Sequence, residues 1–247
     1  MSEPRWESLT RADVDRLTVQ IYRTAWRARP EVRRIRMLGR DAVVKDYGRC
    51  GNIFKHLLGT FLATREATAL QRAEGIANIP AFYALARPWI LVTEHLDARR
   101  VTDLTEDERP GLLTPAFFEK LTTLIAQLHS RGIAHGDLEK LDNILITPEG
   151  DPAVVDFAAA IMSGINPLAA LALPLVEQND RRAVYKLKSR FAPHLLTDEE
   201  DEKLHTRGRA EVLFRRARKY IRRPVKSLAA GEDEQDSTRP ATRTTDD

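Results

Sequence analysis

Hydrophobic positions along the chain fall into two rhythms, one helical and one extended. Val14, Leu17, Ile21, Ala25 and Trp26 recur at helical spacing until Pro30, behind a capping-box signature of Thr10 with Asp13. This predicts an amphipathic N-terminal helix packed on the rest of the fold. Residues 32–47 read as strands, with a hairpin turn at Gly39, Arg40 and Asp41. Residues 52–73 predict one long helix whose first half is crowded with Phe54, Leu57, Leu58, Phe61 and Leu62. Gly75 and Pro80 break the chain, and residues 81–85 and 89–96 then read as a strand pair.

Thr114 followed by Pro115 marks a helix start, a cap and then proline in the first helical position. Phe117, Phe118, Leu121, Leu124, Ile125 and Leu128 give this helix a broad apolar face up to Gly132, and His129 on it reads as structural. Two short apolar runs, residues 144–146 and 153–155, flank a turn at Pro148, Glu149, Gly150 and Asp151. The next helix is expected near residues 180–191, twenty-odd residues after Asp156. Asp180 would cap it or brace the loop before residue 144. Residues 203–223 predict a basic helix with Val212, Leu213, Tyr220 and Ile221 interleaved, and from Ser227 the near absence of apolar residues predicts disorder.

The hairpin over 144–155 carries the candidate chemistry. A hairpin returns its chain to the same end, so Asp137 and Asn143 before it and Asp156 after it can converge. Two carboxylates and an amide are hard oxygen groups that suit Mg²⁺ and phosphate, and one carboxylate can accept a proton from an attacking hydroxyl. The same residues would serve a surface hairpin as ordinary turn caps.

Composition narrows the setting. The 247 residues, 43% apolar and 30% charged, suffice for one large domain or two small lobes. A single cysteine, Cys50, excludes an intramolecular disulfide. Charges interrupt every apolar run before residue 30, and the run 168–176 is short and contains Pro174, so neither a signal peptide nor a membrane span is expected. A cytoplasmic location follows as the expectation. The net charge of +3 gives no argument for nucleic acid as a partner. Charge is uneven, however: the first 36 residues hold nine arginines, and residues 207–226 hold nine Lys and Arg against one Glu. The basic stretch would lie on an anionic membrane surface, steer an anionic substrate or form a solvated face.

His135-Gly136-Asp137, then Asn143 followed by Ile144 and Leu145, then Asp156-Phe157 thirteen positions after the Asn, resembles the catalytic and metal-binding segments of the protein-kinase-like superfamily. Glycine after the histidine resembles its atypical branch, the small-molecule, bacterial lipopolysaccharide-core and RIO-type kinases. The resemblance implies an α+β, two-lobed fold: a small β-rich lobe over residues 1–96 with an extra N-terminal helix, a mainly helical lobe over 97–226, and a disordered tail over 227–247. It implies Asp137 as catalytic base, Lys140 as a neutraliser of γ-phosphate charge, Asn143 and Asp156 as Mg²⁺ ligands and His135 as a brace. Lys45, after Ala42, Val43 and Val44, would anchor the α- and β-phosphates of ATP, and Glu66 would hold Lys45. The backbones of Glu94 and Leu96 would contact adenine, with Thr93 beside the pocket. By their residues alone, Lys45 also reads as a surface lysine and Glu66 as an exposed partner of a neighbouring arginine.

Three departures stand beside the resemblance. Asp137 and Asn143 are six positions apart, one more than in most of the superfamily. Ala158 stands where the motif has glycine, and no G-x-G-x-x-G precedes Lys45, which implies either a reduced phosphate loop or a looser hold on ATP than in the main family. The implied activity is ATP- and Mg²⁺-dependent transfer of the γ-phosphate to a hydroxyl of a lipopolysaccharide-type glycan, a small molecule or a protein Ser/Thr. The alternative is a nucleotide-binding pseudokinase scaffold that regulates a partner. A location at the inner face of the membrane would follow if the basic helix binds lipid.

Overall fold

The computed structural model describes residues 5–26, 29–50, 59–87, 89–165 and 167–206. Five antiparallel strands form the first half: β1 (Thr18–Arg23), β2 (Glu31–Met37), β3 (Arg40–Asp46), β4 (Phe82–Ala86) and β5 (Ile90–Glu94), in the order β1-β2-β3-β5-β4. β2 and β3 join through Leu38 and Gly39, both at positive φ (53° and 71°), so the turn has two residues and Met37 pairs with Arg40. That backbone matches the right-handed twist of a hairpin. The three-residue turn expected at Gly39–Asp41 is thereby shortened, and Arg40 and Asp41 join the strand.

The N-terminal helix is shorter than its apolar spacing suggests. α1 (Arg11–Leu17) begins at the expected capping box, in which Thr10 and Asp13 exchange side-chain-to-backbone bonds. It stops before Thr18-Val19-Gln20-Ile21-Tyr22-Arg23. This run is rich in β-branched and aromatic residues and pairs with β2. Ile21, expected on the buried face of a helix, is 50% exposed on an edge strand. Strand pairing has overridden local periodicity. Leu9 and Val14 cover one face of the sheet, against Ile35, Met37, Ala42, Val44, Ala84, Ile90 and Val92.

α2 (Thr60–Arg72) crosses the other face. The first half of the long helix expected over 52–73, with Phe54, Leu57 and Leu58, lies outside the described residues. Cys50 is buried against Tyr47 and Ala63. Burial, reinforced by the Asp46 carboxylate, pushes its thiol up to about 12. Since the thiolate is the nucleophile, the native protein should take up essentially no iodoacetamide in an hour at pH 8. Full labelling should appear only in denaturant, a difference read by intact mass.

The second half contains β6 (Arg99–Arg100), α3 (Arg109–Leu112), α4 (Pro115–Ser130), β7 (Ile133–Ala134), β8 (Ile144–Ile146), β9 (Pro152–Val154), β10 (Ile161–Met162), α5 (Pro167–Phe191) and α6 (Asp198–His205). β8 and β9 are the expected hairpin, with β6 added outside β8. α4 starts where Thr114 accepts a bond from the Phe117 amide, and it buries all six residues of its expected apolar face. Each such side chain contributes about 1.5–3 kcal/mol on burial, so this face outweighs the ~1 kcal/mol of its cap. Ala69, Leu70 and Ala73 of the α2 region share one continuous core with α4, β7–β10 and α5. The architecture is α+β, sheet first and helices after.

α5 differs from its expected bounds. It begins at Pro167 and runs 25 residues through Pro174, so it absorbs the apolar run 168–176. Asp180 therefore sits mid-helix and caps nothing. Only the ten residues 157–166 separate Asp156 from α5, about half the expected gap. Lys203, expected to open a basic helix, instead lies near the end of α6, whose first turn is acidic. The rest of that expected helix, from residue 207, and the tail over 227–247 lie outside the described residues. Among the described residues no helix is long and apolar enough to cross a membrane.

Candidate active site

Lys45 faces the side of the sheet away from Leu9 and Val14 because strand residues alternate. Ala42 and Val44 are buried in the core on the opposite face, while Val43 and Lys45 share a face with their β5 partners Thr93 and Leu91. The Lys45 ammonium donates to Glu66 Oε1 at 2.6 Å and to Asp156 Oδ1 at 2.8 Å. Glu66 is 2% exposed and also accepts from the Tyr47 hydroxyl (3.3 Å) and the Phe157 amide (3.2 Å). The readings of Lys45 as a surface lysine and Glu66 as an exposed helix glutamate fail on this geometry.

Charge balance in the cluster follows from burial and pairing. Desolvation works against the Lys45 ammonium, but the Asp156 and Glu66 carboxylates outweigh it and raise its pKa. Burial pushes the Glu66 carboxyl up, against the pull of Lys45. Burial also acts to raise Asp156, yet Lys45, with smaller contributions from His135 and Arg23, holds it below the usual carboxylate range. Asp156 takes a left-handed backbone (φ 70°, ψ 69°), which Asp tolerates better than most residues. This turn separates its side chain from that of Phe157, which is buried against the His135 ring at 4.7 Å.

The loop from His135 to Asn143 is fixed from below. The Asp180 carboxylate, 1% exposed, accepts the amides of His135 (2.7 Å) and Gly136 (2.9 Å) and bonds His129 Nε2 at 3.2 Å. His135 Nδ1 lies 3.3 Å from the Asp137 amide and Nε2 lies 3.0 Å from the Val155 carbonyl. These partners put a ring proton on Nε2, which donates to Val155, while Nδ1 accepts. Gly136 holds φ +75°, and a Cβ there would lie 2.8 Å from the Ala159 carbonyl oxygen, so only glycine fits. Two successive turns accommodate the six-residue spacing: Lys140 N to Asp137 O (3.1 Å) and Asn143 N to Lys140 O (3.0 Å).

Asp137 is paired with Lys140, and its carbonyl accepts from Asn143 Nδ2 at 3.1 Å. That bond commits the Asn143 amide nitrogen and leaves Oδ1 as its remaining ligand-type atom. The Val155 amide donates to the Asn143 carbonyl at 3.1 Å, tying the Asn143 and Asp156 segments together. One amide oxygen and one ionised carboxylate fit the sparse protein share of a Mg²⁺ shell, which takes its remaining ligands from water and phosphate.

The residues expected to meet adenine stand apart from this cluster. Glu94 ends β5, and its amide donates to the Ala81 carbonyl at 2.8 Å. Thr93 is buried on the same face as Lys45, and Leu96 follows in the connection to β6. A cavity of about 510 Å³ lined by Arg34, Arg40, Asp41, Tyr83, Glu94, His95 and Asp97 touches Glu94 and does not include Lys45. Arg65 and Arg72 of α2 reach the segment after Asp156, Arg65 at the Ala158 carbonyl and Arg72 at the Ser163 carbonyl (2.9 Å). Sequence reasoning missed these two contacts, and of its two readings of Asp180 the geometry matches the brace.

A β-rich half and a helical half, with a lysine and two carboxylates bonded between them, define a protein-kinase-like fold. Two solved structures carry the same fold. The Rio2 kinase of Chaetomium thermophilum, in an ADP/Mg²⁺-phosphoaspartate complex, matches with a TM-score of 0.55 and 17% identity over 92% of this chain and 75% of that one. Another Rio2 kinase structure from the same organism matches at 0.52 and 18%, over 92% and 76%. A 47-residue stretch is 40% identical to CBL-interacting protein kinase 25 of Oryza sativa subsp. japonica; it is 19% of this chain and 9% of that relative. No family model matches the chain.

Proposed function

We propose that the chain is an ATP- and Mg²⁺-dependent phosphotransferase acting on a hydroxyl acceptor. The observation that carries this reading is the assembled trio in which Lys45 bonds both Glu66 and Asp156. A buried ammonium held by two carboxylates presents fixed positive charge to phosphate without needing to be reoriented. On this reading Lys45 binds the α- and β-phosphates and Glu66 positions Lys45. Bound Mg²⁺, held by Asn143 and Asp156, would offset charge on the phosphate oxygens. Asp137 orients the acceptor hydroxyl and takes its proton, and Lys140 lies beside it to neutralise charge on the transferred group. The base stacks beneath Thr93, against the backbones of Glu94 and Leu96, between a small lobe (1–96) and a larger one (97–226).

Space favours one acceptor class over another. Ten residues between Asp156 and α5 leave little chain for a peptide-docking segment. A small or lipid-linked anionic glycan therefore suits the site better than a protein serine or threonine.

The test is transfer of labelled γ-phosphate from Mg-ATP into a lysate separated into protein, lipid and small-molecule fractions, with Asp156→Asn as control. Label that enters one fraction with wild type alone supports the reading and identifies the acceptor class. Nucleotide-induced thermal shift with no transfer to any fraction would favour the pseudokinase scaffold.

A further inference from the structure

The hairpin between β1 and β2 lies over the Lys45 end of the sheet, yet residues 23–31 contain no glycine. Among its described residues, backbone amides are partly committed within the hairpin. Trp26 and Arg29 spend theirs on each other's carbonyls (3.1 and 2.9 Å), and Pro30 has none. A side chain takes their place through a defect in the strand. The register shifts between Ile21 and Arg23, so that Ile21 pairs with Arg33 while Arg23 pairs with Val32. Val32 in turn pairs with Lys45. Regular alternation would put Arg23 on the face of Ile21; the bulge brings it onto the Lys45 face instead, the re-aiming that bulges typically perform. Tyr22, the residue inside the shift, reaches His95 beyond β5, its hydroxyl 2.9 Å from Nε2.

Arg23 Nε donates to the Pro30 carbonyl across the hairpin at 3.2 Å, which fixes the guanidinium plane and leaves its two terminal nitrogens as the outer edge of the fork. Its charge reaches the interior of the site: it helps hold the Asp156 carboxyl down and partly offsets the rise at Tyr47 and Cys50.

We infer that Arg23 is a phosphate-binding residue, a guanidinium that grips the β- and γ-phosphates of the nucleotide from above where a glycine-rich loop would use backbone amides. This deepens the proposed function and rests on it. A planar fork matches two phosphate oxygens at once, whereas Lys45 acts as a point charge from below. Binding should then depend on the length of the phosphate chain and on salt more steeply than amide contacts allow.

The experiment is calorimetric titration of the full chain with Mg-ATP, Mg-ADP and adenosine, for wild type, Arg23→Gln and Arg23→Lys. Loss of a charge-assisted pair predicts about a 10–100-fold weaker Kd for Mg-ATP in Arg23→Gln, with adenosine unchanged and a shallower dependence of Mg-ATP affinity on salt. Arg23→Lys keeps the charge and loses the fork, so it should fall between the two, and it decides the matter if Arg23→Gln does not fold. Wild type that binds Mg-ATP, with either folded variant binding it equally well, overturns the inference alone. An equal loss for adenosine and Mg-ATP also overturns it, because the effect would then not be on phosphate. Wild type that binds none of the three ligands removes the nucleotide reading itself.

Discussion

Asp137→Asn is expected to lower turnover about 10²–10⁴-fold, the usual contribution of a positioned base, while leaving the Kd for Mg-ATP within twofold of wild type. The two side chains have the same shape. The contacts that hold the loop come from the Asp137 backbone, whose amide meets His135 and whose carbonyl meets Asn143, so they survive the change. The Lys140 ammonium loses a partner, but it is more than half exposed and water replaces much of what it loses. The Asp137 carboxylate is paired with Lys140, while Lys45 bonds Glu66 and Asp156, so the substitution leaves the charges of the Lys45 cluster in place. Initial-rate kinetics beside calorimetry checks both halves of the statement. Turnover within tenfold of wild type would remove Asp137 as the base. Asp156→Asn differs in kind, because it strips charge from the Lys45 cluster and should weaken Mg-ATP binding as well as turnover.

The second large effect belongs to Asp180. Removing its carboxylate in Asp180→Ala leaves the buried amides of His135 and Gly136 without an acceptor and His129 without its partner. At roughly 1–3 kcal/mol for each stranded donor, the loss is about 2–6 kcal/mol, on the order of 10 °C in Tm for a chain of this size. Asp180→Asn retains one acceptor oxygen and should fall between wild type and Asp180→Ala. Turnover should drop with both, since the loop that presents Asp137 hangs from this carboxylate. Differential scanning calorimetry reads the first effect. An Asp180→Ala melting curve that overlays wild type would mean that the loop is held by other contacts.

Legibility in the sequence followed physical cause. The α4 face was legible because six large apolar residues at helical spacing have few other ways to be buried. The β8–β9 hairpin was legible because its turn residues stand between two short apolar runs. β1 was misread because Val14, Leu17 and Ile21 fit a helix as well as a helix followed by an edge strand. Only pairing with β2, between residues 9 to 17 positions apart, decides between them. The β1–β2 hairpin went unrecognised for the same reason, and with it the place of Arg23. Pro174 hid the start of α5, because an interior proline usually ends a helix. This concealed the mid-helix position from which Asp180 reaches the loop. Residue order suggested the Lys45–Glu66 pair by resemblance alone, and the Lys45–Asp156 contact not at all, since these contacts span 21 and 111 positions. The backbones of Glu94 and Leu96 depend little on side-chain identity, so their sequence signal was weak from the start.

The core that runs through Ala69, Leu70 and Ala73 governs how the molecule comes apart. Those residues follow Glu66 on the α2 side, yet they are sealed in one apolar mass with α4 and α5. Arg65 and Arg72 add polar ties from the same helix to the segment after Asp156. Neither half can lose its packing without exposing part of the other's, so unfolding is one cooperative event rather than two. Stability is thereby coupled to the Lys45 cluster: any ligand that tightens Lys45 against Glu66 would clamp α2, and through α2 the core it shares with α4 and α5.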